Sequence, residues 1–281
     1  MIFDARPCDL GEGPLWHPLR KQLFWFDILN RKLLSIDANG PRDWGFAQMV
    51  SAAGWIDHDR LLIAGEDGLS LFDIETGVQT PYRAVEADRP DTRSNDGRAD
   101  PFGGFWFGTM GKQAQPGQGA IYRYYRGEVR QIYADLTIPN AICFPPQGDF
   151  AHFCDTVTSC VMKVALDANG WPSAAPKVFL DLRAEGLHPD GAVVDAAGVL
   201  WLAQWGAGRV AAYGPDGRFL RAVAIGAPHS SCPAFAGERL FCQGLLIHSH
   251  PGGRNVQRIH IRPAEGAGRD QLDRQLDLPV D

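Results

Sequence analysis

The sequence lacks several features that mark large classes of protein. None of its six cysteines stands in a CxxC pair or beside a histidine at zinc-binding spacing, so we expect buried, reduced thiols rather than a thiolate metal site. No apolar run approaches the roughly 18 residues needed to cross a membrane. The N-terminus shows no basic segment followed by an apolar one, the pattern of a signal peptide. We therefore expect a cytoplasmic protein with no membrane partner.

Positive charge and helical periodicity are also scarce. The 27 Lys and Arg residues are outnumbered by 33 Asp and Glu residues, and the net charge of −6 argues against a nucleic-acid partner. No window of about a dozen residues keeps a helical period. Apolar residues make up 45% of the chain, enough for a large core. These observations favour a soluble all-β protein.

What the sequence does contain is a repeated pair of apolar strands. The first strand of each pair begins at Leu23, Leu61, Phe105, Phe150, Leu200 and Leu240. These starts lie 38 to 50 residues apart, which is the blade period of a propeller. Turn dipeptides such as Asn169-Gly170 and Asp216-Gly217 separate the strands. The repeat predicts one domain over residues 1–281, an all-β six-bladed β-propeller of four-stranded sheets around a central channel. Residues 2–6 are expected to close the ring by adding a strand to the last sheet.

A polar residue precedes each pair at nearly constant distance, eleven residues in the first copy and ten in the others. These positions are Glu12, Ser51, Asn95, Asn140, Asp190 and Ser230. Equivalent positions at one end of the innermost strands surround the axis of a propeller. We therefore expect these six oxygen-bearing side chains to face one another across the channel.

Three of these side chains have the chemistry of a metal site. Two carboxylates and an amide in one channel repel each other and are costly to desolvate, unless a cation lies between them. Glu12, Asn140 and Asp190 are oxygen donors that suit Ca²⁺, Mg²⁺ or Mn²⁺, with Zn²⁺ and Fe(II) as alternatives. Taken singly, each is also an ordinary turn residue. Asp96 has two readings, as an acceptor of backbone N–H groups or as a residue that supports the ring from behind.

Five segments together resemble the SMP-30/gluconolactonase/regucalcin-like family. They are LGEGPLWHP, RSNDGRADPFGGFWFGTM, IPNAICFPPQG, PDGAVVDAAGVLWLAQWGAGRV and SSCPAFAG, and the resemblance covers roughly residues 8 to 237. It implies a six-bladed propeller with one divalent metal ion in its channel, acting on sugar lactones such as glucono-, xylono- or arabinonolactone. It also implies that Glu12, Asn140 and Asp190 bind the metal, that Arg93 and Asn95 bind substrate, and that Asp190 is the general base.

The leading hypothesis is therefore a metal-dependent lactonase whose partner is a small sugar lactone. The alternatives are a non-catalytic divalent-metal-binding propeller and a hydrolase of another ester or a phosphoester on the same site. The sequence leaves open the metal, the lactone, and the choice between a monomer and a small homo-oligomer. The resemblance ends after residue 237. Beyond it, residues 258–261 (RIHI) keep a strand pattern, and the tail from about residue 262 is charged and predicted to be irregular.

Overall fold

The chain folds into four-stranded antiparallel sheets arranged as a propeller. A computed structural model describes residues 2–237, 239–246, 256–263 and 275–278. The first sheet holds β2 (Gly11–His17), β3 (Gln22–Asp27), β4 (Lys32–Asp37) and β5 (Gly40–Gly45), and the second holds β6 (Val50–Trp55), β7 (Arg60–Gly65), β8 (Gly68–Asp73) and β9 (Gln79–Ala84). The third holds β10 (Thr92–Ala99), β11 (Phe105–Gly111), β12 (Gly119–Tyr125) and β13 (Glu128–Leu136). Each is built from consecutive strands, as a propeller blade is.

The next two sheets follow the same plan. The fourth holds β14 (Pro139–Cys143), β15 (Phe150–Asp155), β16 (Cys160–Ala165) and β17 (Lys177–Asp181), and the short 3₁₀ turn η1 (Thr156–Thr158) lies after its second strand. The fifth holds β18 (His188–Val194), β19 (Leu200–Trp205), β20 (Arg209–Tyr213) and β21 (Phe219–Ala224). Among the described residues no helix is long and apolar enough to cross a membrane.

The last sheet differs from the five complete blades. It joins β22 (His229–Ala236), β23 (Arg239–Leu246) and β24 (Val256–Pro263) to β1 (Ile2–Cys8), which pairs antiparallel with β24. The repeat predicted six like blades, whereas the described chain has five blades of consecutive strands and one sheet made from both ends of the chain. The expected N-terminal strand is present, and the strand pattern at residues 258–261 lies within β24.

The first strands of the sheets form the inner wall. Each contacts the next in chain order, and β22 contacts β2. The first strand β6 is buried along its whole length, whereas the outermost strand β5 alternates between half-buried and exposed residues. The difference arises because inner strands are covered on both faces and outer strands face water on one. The prediction of an all-β propeller is confirmed.

The core consists of apolar clusters between neighbouring sheets. One cluster joins the first and second sheets through residues such as Phe24 and Phe72, and another joins the fourth and fifth through Val161 and Leu202. All six cysteines are buried free thiols, as expected. The predicted irregular tail falls partly outside the described residues. Residues 262 and 263 belong to β24, so the tail begins as a strand and not as an irregular segment. Residues 275–278 have no regular structure and place Leu276 in the cluster between the second and third sheets.

Candidate active site in the channel

The first strand of every sheet has a bulge beside its candidate residue. In each sheet, the pairing between the first and second strands shifts register near the predicted polar residue. Glu12 and Asn140 are the last paired residues before the shift, opposite Phe26 and Cys154. A bulge bends the strand and redirects its side chains. It therefore gives this end of every inner strand a backbone that differs from that of a regular strand.

Relative to the predicted polar residue, the bulge begins one residue earlier in half of the sheets. Ser230 is paired before the shift, as Glu12 and Asn140 are. Asn95 and Asp190, in contrast, lie within the bulge, one residue after the last paired position, and Ser51 does likewise. Counting residues to the next apolar strand could not reveal this offset, because the bulged residues have no partner in the neighbouring strand.

The two copies that present Glu12 and Asn140 share a special backbone. The residue after each adopts a positive φ, +55° at Gly13 and +55° at Ala141. A buried alanine in the left-handed region is strained by about 1 kcal/mol or more, and Ala141 is fully buried. Such strain persists only where the surroundings fix the conformation, and it is common at functional sites.

An aspartate fixes the chain entering each of these two bulges. The Asp27 carboxylate accepts hydrogen bonds from the N–H groups of Asp9 and Leu10 at 3.1 Å each. The Asp155 carboxylate accepts equivalent bonds from Thr137 and Ile138, at 2.8 and 2.9 Å. Both aspartates come 15 residues after the candidate ligand they support. Sequence reasoning missed them, although this shared spacing was visible in the repeat.

A directed chain of hydrogen bonds joins the third, fourth and fifth sheets. Arg93 donates from Nη1 to Asn95 Oδ1 at 2.9 Å and to the Ser94 carbonyl oxygen at 2.8 Å. Asn95 Nδ2 donates to Asn140 Oδ1 and to the Pro139 carbonyl oxygen, both at 3.0 Å. The structure thus brings three of the predicted residues, Arg93, Asn95 and Asn140, into one connected group.

The chain continues to a residue that the sequence did not single out. Asn140 Nδ2 donates to Thr156 Oγ1 at 2.9 Å, and the Thr156 hydroxyl donates to the Pro189 carbonyl oxygen at 2.8 Å. Pro189 immediately precedes Asp190 in the bulge of β18. Thr156 therefore links the amide of one candidate metal ligand to the backbone that carries another.

Asp96 accepts hydrogen bonds from backbone N–H groups, which is one of the two roles predicted for it. Its carboxylate accepts hydrogen bonds from the N–H groups of Gly97 at 2.9 Å and Ile142 at 2.7 Å. Ile142 lies in the bulge of β14, so this carboxylate ties the third sheet to the fourth at the level of the site. Burial raises the pKa of Asp96, while the nearby Arg98 charge and these two bonds oppose the rise.

The electrostatics show that Glu12 and Asp190 share one buried region. Burial, together with the negative charge of Asp96, raises the pKa of Glu12 to about 8, and the Gly13 N–H and the Arg93 charge oppose the rise. Burial, with the charges of Glu12 and Asp96, raises the pKa of Asp190 well above its usual range. Burial lowers the pKa of Arg93 to about 10, although the charges of Glu12 and Asp190 oppose this change. The guanidinium thus stays protonated near neutral pH.

These residues fit a divalent cation. Glu12 and Asp190 are 7% and 6% exposed. Burying a charged carboxylate costs free energy, and a cation beside it would offset that cost. In the part of the chain that the structure describes, no three His, Cys, Asp or Glu side chains group closely enough to hold a metal ion. The third predicted donor is an amide, Asn140, whose Oδ1 accepts a hydrogen bond from Asn95. An all-oxygen set of this kind suits hard cations such as Ca²⁺ or Mg²⁺.

Comparison with known proteins identifies the family. The family model described as the SMP-30/Gluconolactonase/LRE-like region matches residues 10–247. The chain belongs to this family.

Two curated relatives and one crystal structure show how close the likeness is. The chain is 39% identical to a putative sugar lactone lactonase of Rhizobium meliloti, over 86% of this chain and 82% of the relative. It is 35% identical to the L-arabinolactonase of Azospirillum brasilense, over 88% and 84%. The crystal structure of regucalcin from Agrobacterium tumefaciens, described as a calcium-binding protein, is 35% identical and superposes with a TM-score of 0.89, over 98% of this chain and 96% of that one.

Proposed function

We propose that the chain is a metal-dependent lactonase that hydrolyses a sugar lactone, such as glucono-, xylono- or arabinonolactone, to the aldonic acid. In this proposal the six sheets act as a six-bladed propeller, and one divalent ion is held in the channel by Glu12, Asn140 and Asp190. The observation that carries the proposal is the pair of buried carboxylates, Glu12 and Asp190, both with a pKa raised by burial and by nearby negative charge. The relatives named as lactonases support the same class of reaction.

The kind of ion follows from the donors. Carboxylate and amide oxygens favour Ca²⁺, Mg²⁺ or Mn²⁺ over metals that prefer sulfur, and Zn²⁺ and Fe(II) also accept such ligands. The similarity to a regucalcin described as a calcium-binding protein supports a divalent ion. Three protein ligands leave coordination positions open for water and substrate.

Each residue then has a defined task. A divalent ion bound at Glu12, Asn140 and Asp190 supplies Lewis-acid polarisation of the lactone carbonyl. Asp190 accepts a proton from the attacking water as a general base. A cation bound to Asp190 lowers the basicity of this carboxylate, so the pH dependence of the activity tests whether it serves as both ligand and base.

Arg93 and Asn95 orient the lactone. Both hydrogens of Arg93 Nη1 are used within the protein, on the Ser94 carbonyl and Asn95 Oδ1. Its remaining N–H donors, on Nε and Nη2, are those we assign to the hydroxyl and ring oxygens of the sugar. Asn95 is hydrogen-bonded to Asn140. This bond fixes the position of the proposed substrate-binding residues relative to the proposed metal ligands.

A titrimetric assay tests the proposal. Acid release from gluconolactone and pentonolactones is measured at constant pH, with spontaneous hydrolysis subtracted, before and after chelation and after return of Ca²⁺ or Mn²⁺. We expect activity that chelation abolishes and metal restores, and loss of activity in Asp190→Asn. The matched control is Asp216→Asn, a change at an exposed turn of the same sheet.

Three results would contradict the proposal in different ways. Metal binding without turnover of any lactone would favour a non-catalytic metal-binding propeller. Turnover of aryl esters or phosphoesters, but not of lactones, would favour a different hydrolase. Full lactone activity in Asp190→Asn would refute the role of Asp190 as general base, because the amide keeps an oxygen donor but cannot accept the proton.

A further inference from the structure

Thr156 is fixed in place by its backbone as well as by its side chain. It begins η1, directly after β15, and is half-buried. Its N–H donates to the Ile138 carbonyl oxygen at 3.0 Å, while the preceding Asp155 carboxylate accepts the Ile138 N–H. These reciprocal bonds hold Thr156 beside the segment that enters the β14 bulge, two residues before Asn140.

The hydroxyl of Thr156 determines which way the Asn140 amide faces. A hydroxyl has a single hydrogen to donate, and Thr156 donates it to the Pro189 carbonyl oxygen, which can only accept. The same hydroxyl must therefore accept from its other neighbour, so the NH₂ end of Asn140 lies towards Thr156. The carbonyl end, Oδ1, then faces Asn95.

The opposite end of the network imposes the same orientation. Arg93 is a pure donor and bonds to Asn95 Oδ1, so Asn95 presents its NH₂ group to Asn140 Oδ1. The two amides are thus ordered between a donor on one side and a hydroxyl on the other. Without the hydroxyl, the NH₂ group of Asn140 has no acceptor on that side.

We propose that Thr156 is a positioning residue that aims the Asn140 side-chain oxygen into the channel and ties it to the backbone of Pro189, which precedes Asp190. This role rests on the proposed function, because it concerns the cation that Asn140 would hold. Thr156 touches neither the ion nor the lactone and acts through the two residues that hold the ion.

Valine at this position removes the hydroxyl and nearly keeps the shape. In Thr156→Val, Asn140 Nδ2 loses its acceptor and the Pro189 carbonyl loses its O–H donor, although the Cys154 thiol still lies 3.8 Å from that carbonyl oxygen. The Asn140 amide is then free to turn over. In the turned state its NH₂ group points into the channel, where it can bind no cation and opposes the NH₂ group of Asn95.

Metal titration of the chelator-treated full chain tests the proposal without relying on activity. The probes are Ca²⁺ and Mn²⁺ alone, followed by calorimetry. Loss of a residue that supports a metal ligand lowers metal affinity about 10- to 100-fold. We expect Thr156→Val to bind Ca²⁺ and Mn²⁺ more weakly by the same factor. Thr156→Ser keeps the hydroxyl and is expected to restore the affinity.

Thr158 provides a matched control. It lies on the same 3₁₀ turn, is exposed, and donates its hydroxyl to the Asp155 carbonyl oxygen at 2.8 Å. Thr158→Val therefore removes a hydroxyl bond from the same turn without touching the site, and its metal affinity is expected to match that of the unaltered chain. Thr156→Ala, which also lacks the hydroxyl, replaces Thr156→Val if the latter does not fold.

The outcomes separate this role from the proposed function. If the unaltered chain binds no divalent ion, the proposed function fails and the role of Thr156 fails with it. If the unaltered chain binds the ion and Thr156→Val binds it equally well, only the role of Thr156 is overturned. Equal weakening in Thr156→Val and Thr158→Val, or no recovery in Thr156→Ser, would also overturn it, since either result indicates a general effect on the turn.

Discussion

Replacing Glu12 by glutamine is expected to strengthen the metal-free fold and to weaken metal binding. The pKa of Glu12 rises from 4.5 to about 8 through burial and the charge of Asp96. Because the folded-state value is the higher one, the folded protein holds an extra proton between pH 4.5 and about 8. The stability from this group is full below pH 4.5 and is lost as the pH rises through about 8.

The size of the effect follows from the shift. Each pKa unit corresponds to about 1.4 kcal/mol, so ionising Glu12 at pH 8 costs the metal-free fold on the order of 4 kcal/mol. Glutamine has nearly the same shape and carries no charge, but a buried amide retains part of the desolvation cost. We therefore expect Glu12→Gln to raise the free energy of unfolding at pH 8 by about 1 to 3 kcal/mol.

Denaturant unfolding of chelator-treated protein at pH 4.5 and pH 8 measures the stability change. At the lower pH the side chain is protonated in the folded protein, so the two proteins are expected to be nearly equal. Calorimetric titration with Ca²⁺ measures the second effect. Glutamine keeps an oxygen donor but removes the negative charge, and we expect the Ca²⁺ affinity to fall by about 100-fold, the most that loss of a supporting residue costs.

The opposite signs of these two changes make the test specific. A residue that merely packs in the channel would lower stability at both pH values when replaced. A Glu12→Gln protein that is less stable than the unaltered chain at pH 8, or that binds Ca²⁺ with undiminished affinity, would refute the reasoning.

Two further predictions concern the backbone of the site and its contact with substrate. Gly13→Ala would place a Cβ 2.1 Å from the Ser51 carbonyl oxygen, whereas Gly186, also at positive φ, has open space around it. We expect Gly186→Ala to lower the free energy of unfolding by about 1 to 2 kcal/mol. Gly13→Ala is expected to lower it by about 1 to 3 kcal/mol more, because its Cβ has no room. Equal losses in the two variants would show that the Ser51 carbonyl does not restrict this position. Arg93→Lys removes the guanidinium group, which bonds Asn95 and which we assign to the sugar. KM for the lactone is therefore expected to rise about tenfold. An unchanged KM would exclude Arg93 from the substrate site.

The architecture could be predicted because it depends on local and periodic features. Apolar strand pairs recur at the period of a blade, and glycine turns such as Asp216-Gly217 separate them, with Gly217 at positive φ. The N-terminal strand of the last sheet followed from the need to close a ring. The unequal make-up of that sheet was less predictable, because β24 lies beyond the segment that resembles the family.

The candidate site was predictable in its composition but not in its geometry. Glu12, Asn140 and Asp190 remain predicted ligands, and the structure adds that burial and nearby negative charge raise the pKa values of both carboxylates. The one-residue offset of Asp190 depends on the form of each bulge, which residue spacing does not encode. Thr156 was missed because its role depends on the direction of hydrogen bonds between two sheets, and direction has no sequence signature.

Anomalous diffraction from a crystal of the protein grown with Mn²⁺ tests the central claim most directly. We expect one anomalous peak in the channel, with oxygen atoms of Glu12, Asn140 and Asp190 in its coordination shell at about 2.0 to 2.3 Å. A channel without a peak, or a peak whose ligands do not include these three side chains, would contradict it.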